Sequence, residues 1–100
     1  MSHTVADRPL ARYRKFAGER LDYDQDWTAW LDGDTISSHT VELPDDGITT
    51  DDSSNTTTAT KVWLLGGTAG VTYPVIVSVT TATGRIGERF FEVTVREDPT

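Results

Sequence analysis

The chain has 100 residues and no cysteine, which makes it one domain with one modest core and excludes disulfides and thiolate metal sites. Hydrophobic residues make up 36%, and no apolar run approaches the roughly 18 residues that cross a bilayer. The net charge is −7, but the first 20 residues carry +3 (five basic, two acidic) and the rest −10 (four basic, fourteen acidic), so the body repels nucleic acid.

Residues 1–20 show no strict period, and Pro9 discourages a continuous helix. The segment is expected to be an extended or partly helical arm. A short helix over Leu10–Arg20 would set Tyr13 and Phe16 on one face. With Arg8, Arg12, Arg14 and Lys15 these form the candidate interaction set; the alternatives are a solvated tail, or aromatics that cover the domain's own edge. The opening Met1-Ser2-His3-Thr4 lacks the apolar stretch of a signal peptide.

From Leu21 the pattern alternates. Asp22, Asp24 and Asp26 interleave with Tyr23, Gln25 and Trp27, which predicts a strand carrying Tyr23, Trp27 and Leu31 on one face and Trp30 on the other. Asp32-Gly33-Asp34 turns the chain. Thr35–Leu43 reads as the next strand, and the parity switch between Ile36 and Val41 requires a bulge or bend. Pro44-Asp45-Asp46-Gly47 is a tight turn. Ile48–Asp52 is a short polar strand, followed by a polar loop over residues 51–55. Thr56–Leu65 and Val71–Thr81 are strands separated by Gly66-Gly67-Thr68-Ala69-Gly70. In the second of these, Val71, Tyr73, Val75, Val77 and Val79 share a face. Thr83-Gly84 turns into Ile86–Arg96, with Phe91, Val93 and Val95 inward.

Six or seven short strands with turns every 8–12 residues or so predict an all-β, immunoglobulin-like antiparallel sandwich. Residues 1–20 form the arm, 21–97 the sandwich and 98–100 a tail. Tyr73, following a glycine-containing corner at the start of the penultimate strand, suits the tyrosine that pins a strand crossing in such sandwiches.

The acidic run fails as a calcium loop. Counting from Asp22, the sixth position is Trp27 rather than Gly, and the twelfth is Gly33 rather than Glu. A looser ion site at Asp32 and Asp34 competes with a reading of these acids as solvent-facing. Two histidines, His3 and His39, are too few for a zinc site. His39 has Ser37 and Ser38 beside it, but nothing else marks a catalytic triad. The glycine-rich segment lacks the Gly-Lys-Ser/Thr ending of a phosphate loop. No catalytic, cofactor-binding or metal residue is assigned, and the chain is expected not to be an enzyme. Trp30 and Trp63 are candidate exposed aromatics for a protein contact, or alternatively for stacking on sugar rings.

The stretch Glu19–Leu31 with its Asp22-Tyr23, Asp26-Trp27 and Trp30-Leu31 pairs, Asp32-Gly33-Asp34-Thr35-Ile36, the run Val62-Trp63-Leu64 to Gly70, and the ending Thr80–Phe90 together resemble a small family of tailed-phage proteins labelled fibre–tail adaptors. That resemblance implies a non-enzymatic virion structural protein, assembled in the bacterial host cytoplasm. It would be present in multiple copies and dock on head, connector or tail subunits as an adaptor or capsid decoration protein. It implies no cofactor, nucleic acid or membrane as partner. The alternative is a carbohydrate-binding module on the virion surface.

Overall fold

The computed structural model describes residues 11–97. In chain order the elements are β1 (Arg12–Phe16), β2 (Leu21–Asp26), the single helical turn α1 (Thr28–Leu31), β3 (Ile36–Glu42), β4 (Ile48–Asn55), β5 (Ala59–Gly66), β6 (Thr72–Thr81) and β7 (Ile86–Arg96). They form a four-stranded sheet in the order β1-β7-β6-β3, facing a three-stranded sheet in the order β2-β5-β4. Every pairing is antiparallel except β1 with β7. This is an immunoglobulin-like sandwich whose first strand joins the sheet of the last.

Period-two alternation builds the core. Val75, Val77 and Val79 of β6 meet Phe91, Val93 and Val95 of β7 on one inner face, and Tyr23, Val62 and Leu64 supply the other. Burying each large side chain contributes about 1.5–3 kcal/mol. Trp27, Leu31, Ile36 and Ile48 close the ends of the core. The parity switch in the third strand is a register shift between Ile36 and Ser38, where the Ser37 hydroxyl donates to the Thr80 carbonyl at 2.9 Å.

Four local expectations change. The arm's described half is a strand: Arg12–Phe16 pairs with Glu92–Arg96, because Tyr13 and Lys15 alternate inward between exposed arginines. The strand predicted over 21–31 stops at Asp26. The Asp26 carboxylate accepts both the backbone N–H of Thr28 (2.9 Å) and its hydroxyl (2.6 Å), a local bond that turns the chain into α1. Trp27 and Leu31 are buried nonetheless, at helical rather than strand spacing. Residues 51–55, expected as a loop, continue β4 along β5 through a register shift between Thr50 and Asp52. Val71 lies 37% exposed beyond the end of β6 instead of in the core.

Glycines shape the bend before β6. Gly67 has φ +102°, and a Cβ there would collide with Val95; one at Gly47 would collide with the Tyr73 hydroxyl. The Tyr73 hydroxyl therefore fits because Gly47 lacks a side chain, and Val95 because Gly67 does.

Candidate docking surfaces

Strand β1 takes five of the six residues of the candidate interaction set in opposite directions. Arg12 and Arg14 are exposed on the outer face. Tyr13 turns inward, with its ring centroid 4.9 Å from Tyr23 and 5.5 Å from Phe91. Lys15 is buried at 2% exposure, and its ammonium donates to the carbonyls of Gly66 (2.6 Å) and Phe16 (2.8 Å). Tyr13 and Lys15 thus fasten β1 to the body and are withdrawn from the surface. Phe16 is half-buried, and its backbone N–H is taken by Glu19 Oε1 at 2.8 Å. Arg8 lies outside the described residues.

At one end of the sandwich, α1 presents Trp30, which packs edge-on against buried Trp27 at 5.6 Å. Arg85 lies 4.3 Å over the Trp30 ring and donates to the carbonyls of Leu31 (3.0 Å) and Trp30 (2.9 Å), capping the end of the helical turn. Arg89 lies 4.3 Å over Trp27 and donates to the Asp26 carbonyl; burial pushes its pKa down. The Trp27 indole N–H donates to Thr60 Oγ1 at 3.1 Å. Beside Trp30, Ile86 is 74% exposed, and the two line an open groove of 540 Å³ with Gly87 and Glu88. A Cβ on Gly87 would stand 2.6 Å from the indole, so this glycine is the seat of Trp30.

On the outer face of the three-stranded sheet, Trp63 stands between Asp22 on β2 and Asp52 on β4. Arg20 lies 4.2 Å over its ring, and Arg20 Nε donates to Asp51 at 2.9 Å. A neighbouring groove of 370 Å³ is lined by polar residues including Asp24, Ser54 and Lys61. Both candidate exposed tryptophans are therefore half-buried, each with one ring face covered by a guanidinium. Sequence reading missed these arginines, because each is distant in sequence from its tryptophan.

Of the two acids read as a looser ion site, Asp34 is engaged by neighbouring side chains and backbone. Asp34 accepts from the Thr83 hydroxyl at 2.6 Å and from the Thr35 N–H at 2.8 Å. These bonds, those to Thr83 and Thr81 foremost, hold its carboxyl below the usual range. Asp26 is lowered likewise by its bonds to Thr28. Among the described residues no group of three or more His, Cys, Asp or Glu is placed to hold a metal ion, and no helix is long and apolar enough to cross a membrane.

His39 pairs with neither Ser37 nor Ser38. Its ring bridges the sheets from β3 to β4, with Nδ1 2.6 Å from Asn55 Oδ1 and Nε2 2.9 Å from Ser53 Oγ. Asn55 donates through its amide to the Thr56 carbonyl, which leaves its Oδ1 to accept from His39 Nδ1–H. Ser, His and Asn stand in the order of a hydrolase relay. Ser53, however, sits mid-strand opposite Val62 rather than at a strand-to-helix elbow beside an oxyanion hole. The trio latches the two sheets along one flank.

Comparison with solved structures gives the PKD domain from the KIAA 1837 protein, solved in solution. It has a TM-score of 0.56 and 18% identity, covering 100% of this chain and 94% of that one, and it supports the sandwich fold. Comparison with curated proteins gives no match. Residues 15–94 match the family model described as podophage GP4 fiber-tail adaptor protein gp77. That span runs from the buried Lys15 through most of β7, and with it the chain belongs to the phage fiber-tail adaptor family.

Proposed function

We propose that the chain is a non-enzymatic virion component, present in several copies, that seats between tail subunits and a fibre. The observation that carries this reading is the extent of the family match, residues 15–94, which is the sandwich itself rather than an appendage to it. The adaptor role then belongs to the surfaces of the folded module. Two of these suit protein contact. One is the exposed Arg12 and Arg14 of β1. The other is the end carrying Trp30, Arg85 and Ile86, which joins an aromatic, an arginine and an exposed aliphatic side chain, the composition favoured at interface centres. The guanidinium over Trp30, and that over Trp63, each take a face on which a sugar would stack, which favours protein over glycan as the partner.

The test is a phage in which an early stop codon silences this chain. Particles should assemble tails without attached fibres, and addition of the purified chain should restore attachment. Fibre-bearing, infectious particles that lack the chain would overturn the reading.

A further inference from the structure

We propose that the flank formed by β1 and β2 docks a second copy of this chain through a two-fold axis that sets β1 of each copy beside β2 of the other. The inference rests on the adaptor reading only in that several copies meet in one particle.

Both strands are sheet edges: β1 ends the four-stranded sheet and β2 the three-stranded one. Residues 17–20 alone join them, a link too short to separate the two edges across the molecule. The Tyr13–Tyr23 contact at 4.9 Å closes the seam between them.

Ladder parity identifies the open backbone groups. Glu92 N–H donates to the Ala11 carbonyl, so odd residues of β1 face β7 and even residues face outward. Trp27 N–H donates to the Thr58 carbonyl, so odd residues of β2 face β5 and even residues face outward. Each edge is stopped at one end by a side chain. Glu19 takes the Phe16 N–H, and Arg89 occupies the Asp26 carbonyl. Among the described residues, what remains open is Arg12 and Arg14 on β1, and Asp22 and Asp24 on β2. The two edges match in length and oppose in charge.

Charge selects among the pairings these edges allow. Joining β1 to β1 sets arginines opposite arginines, and joining β2 to β2 sets aspartates opposite aspartates; both are disfavoured. Only the exchanged pairing sets Arg12 and Arg14 beside Asp22 and Asp24. A two-fold axis lying in the contact, parallel to the strands and midway between the sheets, turns the two flanks face to face and swaps the two sheets, so it makes this pairing twice and closes. The side chains are available: Arg14 and Asp24 have no ion pair among the described residues, and the Arg12–Glu92 (3.4 Å) and Asp22–Lys61 (3.5 Å) pairs are exposed and weakly held. The contact is small, so it is weak between free copies and gains strength where neighbours are held together in a particle.

The experiment is sedimentation equilibrium on the full chain at low ionic strength and rising concentration. Wild type should show a monomer–dimer equilibrium that high salt weakens. The double variant Arg12→Glu/Arg14→Glu, and separately Asp22→Lys/Asp24→Lys, should each lose about tenfold or more in association. An equimolar mixture of the two should recover a heterodimer, because each reversed edge then meets its opposite. The single variants Arg14→Glu and Asp24→Lys form a milder pair, and circular dichroism with thermal melting checks that each variant is folded. A wild type that stays monomeric at every concentration, variants that associate as well as wild type, or a mixture that recovers nothing would overturn the proposal. Fibre attachment is a separate readout: a monomeric chain that still restores fibres sinks the dimer and leaves the adaptor standing.

Discussion

The Tyr73 hydroxyl accepts the backbone N–H of Thr68 at 2.8 Å, fastening the glycine-rich bend onto the strand that it feeds. This is the corner that pins strand crossings in immunoglobulin-like sandwiches, and it leaves no room for a side chain at Gly47.

Tyr73→Phe should therefore cost about 1 kcal/mol, the net value of one hydrogen bond, and lower the melting temperature by about 4–8 °C. Gly47→Ala should cost at least as much, because the added carbon meets the tyrosine hydroxyl. Denaturant titration of both variants reads the two costs directly.

Tyr23 supplies the opposite case. Its hydroxyl is buried and has no hydrogen-bond partner among the described residues, and burial above all pushes its pKa from 10.0 to about 12. A folded-state value above the unfolded one gives stability that is complete below pH 10 and is lost as the pH rises through 12. Tyr23→Phe should be neutral or stabilising by up to about 1 kcal/mol at neutral pH, and should flatten the alkaline loss. Ultraviolet titration of tyrosinate in the folded protein should show one group ionising late, and that step should be missing from the variant.

Asp34 contributes on the acid side. Its carboxyl is held low by Thr83 first, then Thr81. The stabilisation is present above the usual carboxylate range and is lost as pH falls through the depressed value. Asp34→Asn should melt below wild type at neutral pH, and the gap should narrow progressively on acidification. Melting curves recorded across the acid range measure it.

Lys15 links the body to β1. Lys15→Ala removes charge-assisted bonds to the Gly66 and Phe16 carbonyls and should destabilise by about 2 kcal/mol or more. Deleting residues 1–20 should likewise lower stability, since it removes a strand of the sheet. The same deletion therefore cannot separate docking from folding, whereas charge reversal at exposed Arg12 and Arg14 can. Chemical denaturation of the three proteins distinguishes these effects.

The features that could be read from sequence were those set by alternation. Val75 to Val79 and Phe91 to Val95 announce their strands because every second side chain is buried, and the parity switch near Ile36 announces its bulge. What escaped reading was set by contacts distant in sequence or by one local bond. Asp26 ends β2 by accepting Thr28, a bond that strand periodicity does not reveal. The polar run 51–55 is a strand because β5 offers it a ladder and His39 bonds Ser53 and Asn55. Lys15 read as a surface charge because nothing nearby in sequence shows that the Gly66 carbonyl, 51 residues later, receives it.

The same contrast applies to the docking surfaces. The motif that carries the family resemblance, Asp26-Trp27 with Trp30-Leu31 and Gly66-Gly67, consists largely of residues that hold the sandwich together. Trp27 and Leu31 plug its end, and Gly67 admits Val95. The signature therefore marks chiefly the module itself.

A reconstruction of the intact particle at a resolution that separates strands tests the adaptor reading most directly. The account predicts density for a four-stranded sheet facing a three-stranded one at the junction of tail and fibre. Such density found solely on the capsid surface, or at no position in the particle, would contradict it.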